Sequence, residues 1–287
     1  MIDTSAAVEL RAGDLRLALR PDLGGSIAGL WLGDTPVLRS TEPGALAAPR
    51  ASGCFPLAPY SNRLGYRRFR WLGREHRTTP NFDEGYPHSL HGSAWLGRWH
   101  VGHADASAVM LLFTQRPDEP WPFGFDLEQR FELSPSGLRV EMALTNIDAR
   151  TQPIGLGWHP YFPKRSRSRV RIDCSGRWES DPTTHLPTRS VAQKGIDGEV
   201  RHLDYDHCFD GWQGAARVRD EALSIALTSS LNHLVVYTPP GKDYFCVEPV
   251  SHVSNAIHMA DPAAHGVVAL GAAETLEAWM NIEVSRA

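Results

Sequence analysis

The sequence has no long hydrophobic run and no leader-like start. No stretch approaches the roughly 20 apolar residues that a membrane-spanning helix needs, and Met1-Ile2-Asp3-Thr4-Ser5 lacks the basic start and apolar stretch of a secretory signal. Neither sign of charge is in large excess, because 29 Lys and Arg nearly balance 33 Asp and Glu, for a formal net charge of −4. We therefore expect neither nucleic acid nor a membrane surface among the partners.

Cysteine is scarce as well. The four cysteines, Cys54, Cys174, Cys208 and Cys246, are widely scattered and show no paired-thiol spacing. This usage favours four reduced thiols in a cytoplasmic protein over a disulfide framework.

Motifs for the common cofactors and nucleophiles are absent. The chain contains no glycine-rich phosphate loop, no dinucleotide fingerprint and no Gly-x-Ser-x-Gly elbow. His88 and His91 are three residues apart, but His100 and His103 share that spacing, and no third ligand follows in compact register. We therefore expect no cofactor and no bound metal.

What the sequence does contain is period-two alternation of apolar residues, typical of β-strands. Phe125 to Leu133 and Leu138 to Leu144 alternate on either side of Ser134-Pro135-Ser136-Gly137, which predicts a hairpin. Glycine (25) and proline (21) are spread along the 287 residues as turn and loop formers, and amphipathic helices are hard to find. The pattern predicts an all-β protein, a large antiparallel β-sandwich formed by residues 1–287 as one domain.

Other strands are predicted from the same alternation. They cover Leu15 to Leu19, Ile27 to Leu32, an antiparallel pair of Leu223 to Leu227 with Leu234 to Val236, and Leu276 to Val284. Two long loops, 47–62 and 77–91, separate the N-terminal strands from the rest. Long ordered loops on a rigid sheet are where sites are commonly built.

The segment Trp158-His159-Pro160-Tyr161-Phe162 places a titratable imidazole among aromatic rings and rigid prolines. Histidine exchanges protons readily near neutral pH, and aromatic faces suit the C–H side of a sugar ring. A histidine beside aromatics can equally be a satisfied core residue. The segment alone therefore leaves both interpretations open.

Glu248 ends a predicted strand, because Pro249 prevents further pairing. A carboxylate among Phe245, Val247 and Val250 would be partly desolvated, which raises its proton affinity and suits a general base. The alternative is a surface glutamate at the end of a strand.

Two basic segments also have alternative interpretations. Arg63 follows Asn62 in an aromatic-rich loop, and its guanidinium could hold substrate oxygens or form an ordinary salt bridge. Asn62 itself could be only a turn residue. The run from Lys164 to Arg171 fits the solvated face of a strand, or the lip of a pocket for a phosphorylated sugar.

Taken in chain order, several segments resemble those of the aldose 1-epimerase (galactose mutarotase) family. They are Phe55-Pro56, Tyr60-Ser61-Asn62-Arg63-Leu64, His91-Gly92 with Trp99, Asn146 with Pro153, Gly157 to Phe162, and Val247-Glu248-Pro249. The flanks, Trp158 and the stretch from Ser251 to Ala256, look closer to a divergent bacterial branch. Because those flanks could line the pocket, the sugar preference stays open.

The resemblance implies a β-sandwich isomerase that interconverts the α and β anomers of a free hexose without a cofactor. It assigns Glu248 as catalytic base and His159 as acid, with Arg63 and His91 holding the sugar. Asn62 and Trp158 are further candidates for substrate contact. The family's sugar-binding aspartate matches Asp206, although Asp204 and Asp210 are close alternatives. The expected partner is a small-molecule monosaccharide, and the chain is expected to be a monomer or homodimer.

Acid–base interconversion of the anomers by Glu248 and His159 leads to two structural expectations. Glu248 should begin ionised and His159 protonated, and the two groups should flank the reacting centre from opposite sides of one pyranose-sized hollow. Two rival functions share the fold: a hexose-6-phosphate 1-epimerase, and a non-catalytic carbohydrate-binding protein.

Overall fold

The computed structural model describes residues 7–118 and 120–287 and confirms the predicted antiparallel β-sandwich. One sheet has nine strands and the other has eight. The strands of the nine-stranded sheet are, in spatial order, His100–Ala104, Ala108–Gln115, Phe125–Ser134, Gly137–Asn146, Thr275–Arg286, Leu223–Ser229, Ala215–Arg219, Arg169–Ile172 and Ile196–Glu199.

The eight-stranded sheet carries the candidate site. Its strands are, in order, Pro187–Ala192, Gly176–Ser180, Asp206–Asp210, His233–Tyr237, Tyr244–Val250, Gly157–Trp158 and Pro56–Leu57, and Tyr161–Pro163 pairs beside them with Tyr244–Val250.

Smaller elements connect and cover the two sheets. A four-stranded sheet contains Val8–Ala12, Leu15–Arg20, Ser26–Leu32 and Thr35–Pro36, and three two-stranded pairs join Gln152–Ile154 to Val268–Leu270, Arg63–Leu64 to Ser89–Leu90, and Arg68–Trp71 to Arg74–Arg77. Within the described ranges the helical segments are short 3₁₀ turns, at Pro43–Ala45, Pro49–Ala51, Gly65–Arg67, Ala94–Leu96, Val200–His202, Ala256–His258 and Ala263–His265. None of these segments is long or apolar enough to cross a bilayer.

Alternation along the strands explains the packing of the nine-stranded sheet. Phe125–Ser134 buries every second residue, and it pairs with Gly137–Asn146 in the register of the predicted hairpin, from Phe125 opposite Asn146 to Ser134 opposite Gly137. The odd-numbered apolar side chains of this strand therefore enter the core between the sheets.

The strand Tyr244–Val250 of the eight-stranded sheet is buried on both faces. In Tyr244–Val250, Phe245 and Val247 belong to the core between the two sheets, whereas Cys246 and Val250 belong to a second apolar cluster. Successive side chains of a strand point to opposite faces. Glu248 therefore shares the outer face with Cys246, beneath the loops that cover the sheet.

One predicted strand pairing is wrong. Leu223–Ser229 pairs with Ala215–Arg219 and Thr275–Arg286, whereas His233–Tyr237 pairs with Asp206–Asp210 and Tyr244–Val250 in the other sheet. The short connection between the two strands passes from one layer to the other. Alternation detected both strands, but it contains no information about which sheet each one joins.

Candidate active site

A cleft of about 580 Å³ opens on the outer face of the eight-stranded sheet. Its volume lies within the usual range for small-molecule sites. Polar and aromatic side chains line it together: Arg39, Arg50, Asn62, Arg63, His91, His159, Asp206, Glu248, Phe55, Phe82, Tyr161, Tyr237 and Tyr244. Both long loops predicted from the sequence contribute to its walls.

The His159 imidazole is fixed at the base of the cleft by its backbone and by two aromatic rings. The His159 amide donates a hydrogen bond to the Phe55 carbonyl, 3.0 Å away. The Tyr161 ring stacks on the imidazole at a centroid distance of 4.4 Å, and the Phe55 ring lies 4.8 Å from it. This packing leaves the imidazole little freedom to rotate, and the side chain reaches the cleft with 8 % of its surface exposed.

Glu248 contacts His159 directly. The Oε1 atom of Glu248 lies 3.4 Å from Nε2 of His159, and both side chains are almost completely buried. Across the part of the chain that the structure describes, Oε2 of Glu248 and Nδ1 of His159 have no hydrogen-bond partner. Buried polar atoms without partners are rare, and their position here indicates a site that a ligand completes.

The protonation of the His159–Glu248 pair is opposite to the sequence-based expectation. Burial raises the pKa of the Glu248 carboxyl well above its usual range, and the charge on Asp206 raises it further. Burial lowers the pKa of the His159 imidazole well below its usual range, helped by His91 and Arg39. The favoured form is therefore a carboxylic acid beside a neutral imidazole, since a low-dielectric site penalises both ions.

The relative placement of the two groups also differs from the expectation. They reach the same cleft, but at 3.4 Å they lie side by side, so no sugar ring fits between them. A ligand must therefore lie across the pair and present two atoms to it.

Arg63 and Asp206 form an ion pair in the lining of the cleft. The guanidinium of Arg63 donates to Oδ2 of Asp206 at 3.0 Å, to the Tyr86 hydroxyl at 2.8 Å and to the Asn62 side-chain oxygen at 3.1 Å. These contacts hold one charged donor group in a fixed plane. The Asp206 carboxylate keeps 41 % of its surface exposed and can still accept hydrogen bonds from a ligand.

The three candidate aspartates are distinguished by position. Asp206 lines the cleft, whereas Asp204 is exposed outside it. Asp210 lies farther along the same strand, where Ser190 donates to it at 3.0 Å and the His233 ring lies 3.6 Å away. Asp206 is therefore the aspartate available to a ligand.

Asn62 and His91 form one rigid unit in the wall of the cleft. The two residues have left-handed backbones, with φ of 57° and 61°, and each amide is paired with the other residue. The Asn62 amide donates to Nδ1 of His91 at 3.1 Å, so the proton of the neutral imidazole resides on Nε2. Burial lowers the pKa of His91 to about 3, which keeps the ring a neutral donor.

Trp158 is not placed to contact a ligand. Its side chain is 1 % exposed and belongs to the core between the sheets, where the indole N–H donates to the Gln129 side chain at 3.2 Å. Because neighbouring strand residues face opposite sides, the placement of His159 in the cleft requires Trp158 to face inward. We therefore remove Trp158 from the candidate substrate contacts.

Arg39 lines the cleft and was not anticipated from the sequence. Its guanidinium lies 3.7 Å from the centroid of the Tyr161 ring and donates to the Ser52 carbonyl at 3.0 Å. No motif surrounds Arg39, so its position becomes visible only when the chain is folded. Arg50, also in the wall, lies over the Phe82 ring and pairs with Asp83 at 2.9 Å.

The basic run from Lys164 to Arg171 lies outside the cleft lining. Arg169 pairs with Asp197 at 2.8 Å, and Arg165 pairs with the buried Asp220 at 2.6 Å. Arg169 and Arg171 alternate with buried Val170 and Ile172 on an edge region of the nine-stranded sheet. The solvated strand face is therefore the correct interpretation, and the pocket-lip interpretation is wrong.

A curated protein and a crystal structure, both from Escherichia coli K12, resemble this chain over nearly its whole length. YphB is 31% identical across 96% of this chain and 97% of its own. A crystal structure of a provisionally named aldose 1-epimerase from the same organism superposes with a TM-score of 0.87 at 29% identity, covering 98% of this chain and 99% of that one.

The fold also recurs at lower identity. A galactose mutarotase-like protein from Clostridium acetobutylicum has a TM-score of 0.87 at 20% identity, with 100% of this chain and 98% of that chain covered. The sequence model of the family described as aldose 1-epimerase matches residues 6–283. The chain therefore belongs to the aldose 1-epimerase family.

Proposed function

We propose that this protein is a mutarotase that interconverts the α and β anomers of a free hexose, with His159 and Glu248 as its acid–base pair. The observation that carries the proposal is the direct 3.4 Å contact between the two groups inside a cleft of about 580 Å³. The family membership supports the same reaction class.

Mutarotation needs a proton removed from the C1 hydroxyl and a proton delivered to the ring oxygen O5. Both oxygens are bonded to C1, so an acid and a base that lie side by side match the two positions better than groups on opposite sides of the ring. The C1–O5 bond breaks, the aldehyde turns about C1–C2, and closure on its other face gives the second anomer. Each proton transfer contributes about 10²–10⁴ in rate.

The His159–Glu248 pair needs only one proton for this work. Burial favours that proton on Glu248, and the form that starts the reaction has a Glu248 carboxylate beside a His159 imidazolium. Glu248 then accepts the C1 hydroxyl proton while His159 donates to O5. The pair is regenerated when the ring closes, so turnover needs no external acid or base.

Arg63, His91, Asp206 and Asn62 have positioning roles in this proposal. The fixed guanidinium of Arg63 and the Nε2–H of His91 donate to sugar oxygens, and the exposed Asp206 carboxylate accepts from hydroxyls. The donors also stabilise negative charge that grows on the ring oxygen. Asn62 acts through Arg63 and His91, which it contacts directly.

Polarimetry of freshly dissolved α-glucose and α-galactose tests the activity. The wild-type protein should speed the optical change well above the buffer rate, and Glu248→Gln should reduce that acceleration about 10²–10⁴-fold because the amide cannot take up a proton. Sugar affinity should change only a few-fold. Glu277→Gln, an exposed glutamate of the other sheet, is the matched control and should keep full activity.

Two outcomes would contradict the proposal. A wild-type protein that binds sugar without speeding mutarotation would be a carbohydrate-binding protein of the same fold. An unchanged rate in Glu248→Gln would remove this residue from the mechanism.

An anionic sugar is the second candidate substrate, and Arg39 and Arg50 are the observation that favours it. Three arginines line the cleft against two carboxyl groups, of which Glu248 is held protonated. The same assay with glucose 6-phosphate separates the two substrate classes. A faster enzyme-dependent rate for the phosphorylated sugar, lost in Arg39→Ala, would assign the anionic substrate.

A further inference from the structure

We propose that His159, Glu248 and Cys246 form a Zn²⁺-binding site, and that Zn²⁺ bound there switches the enzyme off. The binding half of the proposal depends only on the geometry of the three side chains, whereas the inhibition rests on the proposed function. The metal is an inhibitor in this proposal, and the reaction itself proceeds without it.

The three ligand atoms are already gathered. Nε2 or Nδ1 of His159, Sγ of Cys246 and a carboxylate oxygen of Glu248 all lie within 4.8 Å of one another. Cys246 and Glu248 are two residues apart on one strand, so both face the outer side of the sheet. Tyr161 lies opposite Cys246 on the neighbouring strand, which brings His159, two residues earlier, to the same place.

The spacing of the nitrogen and oxygen atoms suits a tetrahedral ion. Zinc binds imidazole and carboxylate at about 2.0–2.2 Å, so two such ligands at a tetrahedral angle are about 3.4 Å apart. The observed distance from His159 Nε2 to Glu248 Oε1 is 3.4 Å. The thiolate of Cys246 completes the protein ligands, which leaves one position of a tetrahedral site for water.

The donor set favours zinc over harder cations. One thiolate, one imidazole and one carboxylate match Zn²⁺, whereas Mg²⁺ and Ca²⁺ prefer oxygen ligands alone. The other polar atoms of these two side chains, Nδ1 of His159 and Oε2 of Glu248, have no hydrogen-bond partner among the residues that the structure describes, so no competing hydrogen bond holds either group. Three side chains with more than nine-tenths of their surface buried therefore place their ligand atoms within 4.8 Å of one another.

Binding must release two protons. The Cys246 thiol and the Glu248 carboxyl each lose one, so the thiolate and carboxylate charges balance the divalent ion, and His159 coordinates as a neutral imidazole. The proton that the acid–base pair uses is then gone, and both of its members are bound to the metal. A sugar that enters the cleft finds no group that can exchange protons with C1–OH or O5.

Binding of Co²⁺, a spectroscopic substitute for Zn²⁺, tests the site without any activity measurement. The full-length protein should bind Co²⁺ with a near-ultraviolet sulfur-to-cobalt charge-transfer band and the visible bands of tetrahedral cobalt, and added Zn²⁺ should displace it. In Cys246→Ser the sulfur band should disappear, and Zn²⁺ affinity should fall by at least about tenfold. Losing a residue that only supports a metal ligand already lowers metal affinity by about tenfold or more. Cys208→Ser, which removes a buried thiol from the same apolar cluster, should keep both the band and the affinity.

Activity provides the second measurement. Mutarotation by the wild-type protein should be inhibited by Zn²⁺ and restored by a chelator, and inhibition of Cys246→Ser should need at least about tenfold more Zn²⁺. Its rate without metal should stay within a few-fold of wild type, because the thiol takes no part in the proton transfers. A Co²⁺ complex without the sulfur band, or Zn²⁺ affinity unchanged in Cys246→Ser, would overturn the proposal. If the protein has no mutarotase activity but forms the sulfur-ligated complex, the metal site stands and the proposed function fails.

Discussion

The pair of His159 and Glu248 shows how a buried environment can exchange the ordinary roles of two side chains. A glutamate is normally the stronger acid, but here its pKa is raised while that of the histidine is lowered. The raised pKa of Glu248 makes the carboxyl lose its proton at higher pH than usual, and the lowered pKa of His159 makes the imidazole gain one at lower pH than usual. The catalytic rate should therefore be bell-shaped, as it would be with the ordinary order of the two pKa values.

Asp206→Asn tests which group controls the alkaline side of that profile. The Asp206 charge raises the pKa of Glu248, and its removal also leaves the Arg63 charge unpaired, which lowers that pKa. We expect the alkaline limb of kcat to move to lower pH by about one unit. The measurement is the pH dependence of kcat at saturating sugar.

The control for this shift is Asp204→Asn, which removes the same charge from an exposed position outside the cleft. It should leave the limb in place. An alkaline limb that does not move in Asp206→Asn, or moves to higher pH, would show that Glu248 does not control it.

The chemistry of the site residues was predictable from the sequence, whereas their ionisation was predictable only for Glu248. His159, Glu248, Arg63, His91, Asp206 and Asn62 were identified from the sequence, and the fold brings all six to one cleft. No motif surrounds Arg39, which lines the cleft, or Cys246, which belongs to the proposed zinc site, because each is brought there only when distant strands pair. The raised pKa of Glu248 was expected from its apolar neighbours, whereas the lowered pKa of His159 was not, since it depends on how completely the loops cover the pair.

At the scale of elements, three buried histidines hold the loop that carries Arg63. The amides of Ser61, Asn62 and Tyr66 donate to imidazole nitrogens at 2.9–3.1 Å. The accepting rings are those of His252, His91 and His88 respectively. A ring nitrogen accepts only when it carries no proton, so this loop depends on neutral histidines.

His252→Ala tests that support from outside the cleft. Nε2 of His252 accepts from the Ser61 amide at 3.0 Å while Nδ1 donates to the Val253 carbonyl at 2.7 Å. The alanine leaves the buried amide unpaired, which costs roughly 1–3 kcal/mol in the free energy of unfolding, before any cavity is counted. Urea denaturation at pH 7 measures the loss.

The matched control is His100→Ala, an exposed histidine on an edge strand, which should change stability by less than about 0.5 kcal/mol. Equal stability of the two variants would show that the loop does not need this imidazole.

The positions of the strands along the chain were more predictable than the strands with which they pair. The strands at Leu15–Arg20, Ser26–Leu32 and Thr275–Arg286 match the alternation of the sequence, and so does the hairpin from Phe125 to Asn146. The pairing of Leu223–Ser229 with His233–Tyr237 failed, because two strands adjacent in the chain joined different sheets. Alternation fixes which side chains share a face, whereas the assignment of a strand to a sheet depends on contacts far along the chain.

At the scale of the whole molecule, buried histidines make the fold sensitive to acid. Burial lowers the pKa of His91 to about 3 and that of His252 to about 4, and it lowers that of His159 too. Below pH 6.5, the unfolded chain takes up these protons before the folded protein does. Each histidine therefore costs about 1.4 kcal/mol of stability per pH unit as the pH falls toward its folded pKa.

Glu248 acts in the opposite direction. Its raised pKa means that the folded protein holds a proton that the unfolded chain has lost, so acidification stabilises the fold until the pH reaches about 4.5, the ordinary value for the carboxyl. Because several histidines oppose this one carboxyl, the free energy of unfolding should fall on balance as the pH drops from about 6 to 4.5. Urea denaturation at a series of pH values should show this decrease, and stability that is flat or rises over that range would contradict it.

The cleft also determines when function can arise during folding. The residues that line the cleft range in sequence from Arg39 to Glu248. The strand Tyr244–Val250 pairs with strands that lie between Gly157 and Tyr237 in the sequence. Closing such long loops is slow, because chain entropy is lost before any of these contacts form. Ligand binding should consequently be among the last properties that a refolding chain regains, and a ribosome-bound chain that has not yet released Glu248 has no site at all.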